Sequence, residues 1–164
     1  MAILPRLVTG KPEPLRPIFE NFPEELTAAP QWVLWCYTLR DGRWTKLPKQ
    51  PNQQNASVDA PATWSAFPAV VAAYGEGWAD GVGIVLTEQL GILALDFDQC
   101  TLDAARPWLF PDSYTERSPG GNGIRQFIRG RLPEGAKNKY HPPGMKELEL
   151  YDRARYMTVT GHTL

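Results

Sequence analysis

The stretch Leu95-Asp96-Phe97-Asp98 carries the residue pair with the plainest chemical meaning in the chain. In a β-strand, residues i and i+2 project from the same face, ~7 Å apart, so both carboxylates point together at the end of an apolar strand. Two like charges side by side repel, and a hard divalent cation bound through oxygen removes the repulsion. Mg²⁺ takes one or two carboxylates and fills its other positions with water and substrate phosphates. A solvated pair of acids at a strand end is the blander explanation of Asp-x-Asp taken alone. The same repulsion predicts that neutralising Asp96 leaves the fold intact.

A second cluster is Glu116-Arg-Ser-Pro-Gly-Gly-Asn-Gly-Ile-Arg125. Its glycines, Gly121 and Gly123 among them, let backbone N–H groups approach phosphate oxygens, and Arg125 on the following strand offers a charged fork for the same oxygens. An ordinary Gly-rich hairpin turn with a surface Arg explains it equally well. The third cluster runs from Glu147 to Gly161, where alternation places Glu147, Glu149 and Tyr151 on one face, so a third carboxylate can join the first two. An edge strand with a polar outer face is the alternative there.

These residues need strands to hold them. Trp32 to Tyr37 reads as a strand, and Arg43 to Leu47, after the Asp41-Gly42 turn, completes a hairpin. A helix fits Ser65 to Tyr74, with Ser65 as N-cap, Pro68 in the first turn and Gly75 as stop. Val82 to Thr87 and Gly91 to Asp98 are apolar enough to be central strands. Tyr114 to Arg117, Ile124 to Arg129, Glu147 to Tyr151 and Arg155 to Thr160 follow. Residues 1–30, with six prolines, suit an extended lead-in with at most a short helix near Pro23 to Ala28. The class is α+β: an antiparallel sheet with helices on one face.

Length and composition agree with that class. The 164 residues fit one domain, 43% are hydrophobic, and the 16 Pro and 14 Gly imply many turns. A formal net charge of −1 announces no overall basic field, yet from Glu116 onward nine Arg or Lys face five Asp or Glu, so any nucleic-acid surface is local. Cys36 and Cys100 are too few for a disulfide framework and read as reduced core residues of a cytoplasmic protein. No apolar run approaches the length of a membrane span or a signal peptide.

The order of the motifs resembles a known family. Leu93 to Cys100, Tyr114 to Arg125 and Glu149 to Gly161, with Trp32-Val-Leu-Trp35, Lys46-Leu-Pro48 and Ala62-Thr-Trp64 upstream, are similar to the bifunctional primase-polymerase domains of phage and plasmid replication proteins, in the archaeo-eukaryotic primase superfamily. The resemblance covers residues 31–164. It implies a sheet related to the RNA-recognition fold and template-directed nucleotidyl transfer with two ions, Mg²⁺ or Mn²⁺, held by Asp96, Asp98 and Glu149. Ser118, Gly121, Gly123 and Arg125 would bind the incoming NTP or dNTP. Arg155, Thr160 and Lys46 would contact nucleotide or single-stranded DNA template, and a helicase domain or subunit is the expected partner. Arg125 stands where the family's second motif usually ends in His, and the connection from Asp98 to Tyr114 is shorter than usual. Because such domains usually precede helical and helicase regions, the chain is expected to be a piece of a longer protein.

Two other readings fit some of these residues. Asp96-Phe-Asp98-Gln-Cys-Thr101 resembles the nucleophile motif of haloacid-dehalogenase-type phosphatases, although the Thr falls one place late. A non-catalytic relative that binds single strands with a decayed site fits Arg125 and the near-neutral charge.

Overall fold

The computed structural model describes residues 10–164; residues 1–9 of the Pro-rich lead-in lie outside the described residues. The hairpin forms as expected but longer: β1 (Trp32–Arg40) and β2 (Arg43–Lys49) pair from Leu34↔Lys49 to Arg40↔Arg43. Its two turn residues, Asp41 and Gly42, have φ of +48° and +71°. Left-handed geometry at both positions gives the turn whose twist matches paired strands, and Gly adopts it freely.

The remaining strands are β3 (Gly81–Leu86), β4 (Ile92–Asp98), β5 (Tyr114–Arg117), β6 (Ile124–Arg129), β7 (Lys139–Tyr140), β8 (Glu147–Tyr151) and β9 (Arg155–Val159). The α+β class holds, but the single sheet expected from the sequence is two. One is four-stranded, in the order β2-β1-β3-β9, and the other five-stranded, in the order β5-β6-β4-β8-β7. Every pairing is antiparallel. Two tight turns step between the sheets: β3 leads into β4, and β8 leads into β9 through Ala154, whose φ is +52°. Apart from the β7–β8 pair, each of those strands finds its partners far away in the chain, which pattern reading along the sequence does not reveal.

Helices are few. A short α1 (Glu24–Thr27) sits where the lead-in predicted one, and α2 is Phe67–Gly75. Ser65 does not cap α2; Ala66 does, without a side-chain hydrogen bond. The Ser65 backbone N–H and carbonyl are both bonded to Trp32, each at 2.9 Å, which holds Ser65 as a bridge beside β1. Sequence reading missed α3 (Leu102–Ala105), capped by Thr101 Oγ1 accepting from the Ala104 N–H at 3.2 Å.

Apolar packing explains where the acids emerge. Trp32, Leu34, Val82, Ile84 and Met157 of the first sheet form one core with Val70 and Ala73 of α2, and Ile92, Ala94 and Phe127 of the second sheet join it. Phe22 and Leu26 of the lead-in are buried in the same core. Leu95 and Phe97, on the other face of β4, form a second core with Ala105, Ile124 and Leu148. Strand β4 is thus buried on both sides, as a near-continuous apolar run requires. The face that carries Ile92 and Ala94 continues to Asp96 and Asp98, where apolar packing gives way. Cys36 and Cys100 are free thiols and only half-buried, so neither is a full core residue.

Candidate active site

Strand β4 lies between β6 and β8, and its register decides who meets whom. Asp96 is flanked by Arg125 on one side and Glu149 on the other, while Asp98 stands opposite Glu147. Directly opposed residues of paired strands share a face, so four carboxylates and one guanidinium project together. Their charges are matched within the chain. Arg125 Nε donates to Asp96 Oδ1 at 3.2 Å. Lys146 Nζ stands 3.7 Å from Asp98, and Lys139 Nζ stands 3.4 Å from Glu147 and 3.9 Å from Glu149. The Tyr151 hydroxyl donates to Glu149, and burial together with that bond pushes the phenol up to about 12.

A cleft of about 510 Å³ opens beside this row. Lys46 and Trp44 of β2 line it with Asp96, Arg125, Arg155 and Tyr156, so both sheets contribute. Burial and the nearby Arg125 pull the Lys46 ammonium below its ordinary value, and Asp96 and Asp98 oppose that shift. The Tyr156 hydroxyl donates to the Lys46 carbonyl and ties β9 to the edge strand β2, and its own pKa is raised, chiefly by burial. Arg155 lays its guanidinium 4.3 Å from the centre of the Tyr151 ring, a cation–π contact. The cleft is lined by Lys46, Arg125 and Arg155 with Asp96 as its one acid, a net cationic lining that suits an anionic ligand.

Not every expected residue joins it. Ser118 and Gly123 bond each other across the Gly-rich turn: the Gly123 N–H donates to Ser118 Oγ at 3.0 Å, and the Ser118 N–H to the Gly123 carbonyl at 2.9 Å. The Gly121 N–H is also spent inside the turn, on the Ser118 carbonyl at 2.9 Å. A Cβ on Gly123 would lie 2.9 Å from the Phe97 carbonyl oxygen, so Gly is needed there for close approach to β4. Thr160 is buried, with its hydroxyl donating to the Arg117 carbonyl at 2.7 Å and its N–H to Glu116. These four positions build the frame around the site.

Sequence reading overlooked Glu116. It is fully buried and accepts from the Tyr114 hydroxyl at 2.7 Å and from the Thr160 and Gly161 N–H groups at 2.9 Å each, all on Oε2. Its Oε1 has no partner. Burial outweighs these bonds and raises the carboxyl above its ordinary value. Even spacing from Tyr114 was the one signal in the sequence that Glu116 faces inward. Lys139, Lys146 and Trp44 also went unread, because nothing local ties them to the acids.

Among the described residues, no group of three or more His, Cys, Asp or Glu side chains is arranged to hold a metal ion. The donor set itself has the chemistry that Mg²⁺ or Mn²⁺ takes, carboxylate oxygens from neighbouring strands on one face. The side chains, however, are turned toward the chain's own cations. The phosphatase reading fails on topology: β4 has antiparallel neighbours on both sides, whereas that motif sits in a doubly wound parallel sheet.

No protein-family model matches the chain. It is 34% identical over 140 residues to the DNA primase-polymerase of Nitratiruptor phage NrS-1. The chain is a primase-polymerase relative. The match covers 80% of this chain and 19% of that protein, so the chain spans about a fifth of its relative's length. The kinship bears out the resemblance read from the motifs. Among the described residues no helix is long and apolar enough to cross a membrane.

Proposed function

We propose that this chain catalyses template-directed nucleotidyl transfer in DNA replication, with Asp96, Asp98 and Glu149 as its catalytic carboxylates. The observation that carries the reading is that those three acids share one sheet face with Arg125, beside a cleft to which the other sheet contributes Lys46 and Arg155. Kinship to a phage primase-polymerase points the same way. Divalent cations held by the three acids would neutralise triphosphate charge and lower the pKa of a primer 3′-hydroxyl. The chain's own groups do the positioning. Arg125 has its Nε on Asp96 and its Nη1 on the Thr158 carbonyl, so it would meet a phosphate oxygen through Nη2, and Lys46 adds a point charge from the opposite sheet. Tyr151 fixes the orientation of Glu149 through its hydroxyl. Single-stranded DNA and NTP or dNTP are the proposed substrates.

The Arg125–Asp96 ion pair favours a second reading, a non-catalytic relative that binds single strands. One assay separates the two. Primer extension and de novo synthesis on single-stranded template, with Mg²⁺ or Mn²⁺, should show incorporation by wild type and none by the Asp96→Ala/Asp98→Ala double variant. Template binding without incorporation by wild type would establish the second reading.

A further inference from the structure

One wall of the cleft has no role in the reading above. Trp44 and Lys46 are two residues apart on β2, so they share a face, and both line the cleft with Asp96 and Arg125. The charged groups gather at the Lys46 end, where the ammonium lies within the influence of Arg125, Asp96 and Asp98. One i to i+2 step, ~7 Å, takes the wall from that charge to the Trp44 indole. A sugar spans a comparable gap between a base and its phosphates. Trp44 is half-buried, and its ring packs edge-to-face with Tyr37 at 6.5 Å between centroids. That contact braces a large, rigid aromatic surface whose immobilisation costs little entropy.

We propose that Trp44 is the nucleobase platform of the site, stacking on the base of an incoming nucleoside triphosphate whose phosphates lie against Lys46 and Arg125. The proposal rests on the nucleotidyl-transfer reading and assigns the subsite for the base. Stacking on an indole accepts every base, since each has a π-face. Trp44 therefore adds affinity without choosing among nucleotides, and choice is left to pairing with the template, as a templated reaction demands.

The test compares wild type, Trp44→Ala and Trp44→Phe by calorimetric titration with each of the four dNTPs and with inorganic tripolyphosphate, all in Mg²⁺. Trp44→Ala should weaken all four dNTPs by about 5- to 150-fold and leave tripolyphosphate unchanged. Trp44→Phe should restore most of the loss. In primer extension, KM for nucleotide should rise in Trp44→Ala while kcat is largely kept. Unchanged dNTP affinity in Trp44→Ala would overturn the platform, and so would an equal loss for tripolyphosphate or an effect confined to one base. In those cases wild-type incorporation would leave the nucleotidyl-transfer reading standing. If wild type neither binds dNTPs nor incorporates them, both fall together.

Discussion

Substituting Asn for Asp96 removes the carboxylate charge that is ion-paired with Arg125. Repulsion between Asp96 and Asp98, considered from the sequence alone, predicts no loss of stability. The structure reverses the sign. Asp96 Oδ1 lies 3.2 Å from Arg125 Nε. At an effective dielectric constant of about 20, a unit pair at that separation attracts by about 5 kcal/mol, against about 2 kcal/mol of repulsion between carboxylates ~7 Å apart. Solvent reduces both, since the Asp96 side chain is 19% exposed and that of Arg125 10%. Arg125 also keeps its 2.9 Å bond to the Thr158 carbonyl, and an Asn amide oxygen can still accept from Nε. The expected net loss is therefore about 2 kcal/mol, below the ~3–5 kcal/mol of breaking a fully buried pair. In a domain of this size that lowers Tm by roughly 4–8 °C. Asp98→Asn is the matched control: Asp98 is 39% exposed and its cation, Lys146, stands 3.7 Å away, so its loss should stay below about 1 kcal/mol. Thermal unfolding of both variants in EDTA reads the difference. A Tm for Asp96→Asn at or above wild type would refute the argument, because repulsion would then outweigh the ion pair. Primer extension is a separate readout, and both variants should lose synthesis.

Three further outcomes are expected. Glu149→Gln should weaken Mg²⁺-dependent dNTP binding, measured by calorimetry, by about tenfold or more; Glu147→Gln should do less, because Glu149 is the residue opposed to Asp96, and equal effects would show the wrong acid had been assigned. Arg125→Ala should raise the KM for nucleotide and lower turnover while costing a few kcal/mol of stability through the orphaned Thr158 carbonyl and Asp96; Arg125→Lys and Arg125→His should each recover part of the activity, and wild-type kinetics from Arg125→Ala would place the guanidinium outside the reaction. Glu116 has a carboxyl raised by burial, so below the ordinary value of 4.5 folded and unfolded chains are both protonated there and it contributes nothing. As pH climbs past 4.5 the unfolded chain releases this proton first, and stability declines until the folded carboxyl also ionises. Glu116→Gln should flatten that decline in a Tm series from pH 4 to 8, and identical slopes for the two proteins would count against a raised Glu116.

Much of the local structure could be read along the chain. Alternation placed β5, β6 and β8 at their observed bounds, and the Asp41-Gly42 turn marked the first hairpin, because side-chain period and turn chemistry are local properties. The lead-in yielded its short helix but not the burial of Phe22 and Leu26, which depends on what they pack against. The two-residue β7, just before Pro142-Pro143, carried too little pattern to be seen.

By itself, the sequence determined the α+β class, the kinship, and the shared face of Asp96 with Asp98 and of Glu147 with Glu149, since a strand's pleat settles those from spacing alone. Only the tertiary structure decided that β3 and β4 belong to different sheets, that Glu149 rather than Glu147 opposes Asp96, and that Arg125 spends its fork on Asp96 and Thr158. It also decided that Lys46 approaches the acids from the other sheet, with Trp44 lining the same cleft. The reason is the same in each case. Register and sheet membership come from pairings between residues tens of positions apart, where the gain from packing must exceed the entropy of closing long loops. No local spacing encodes which of several compatible pairings wins.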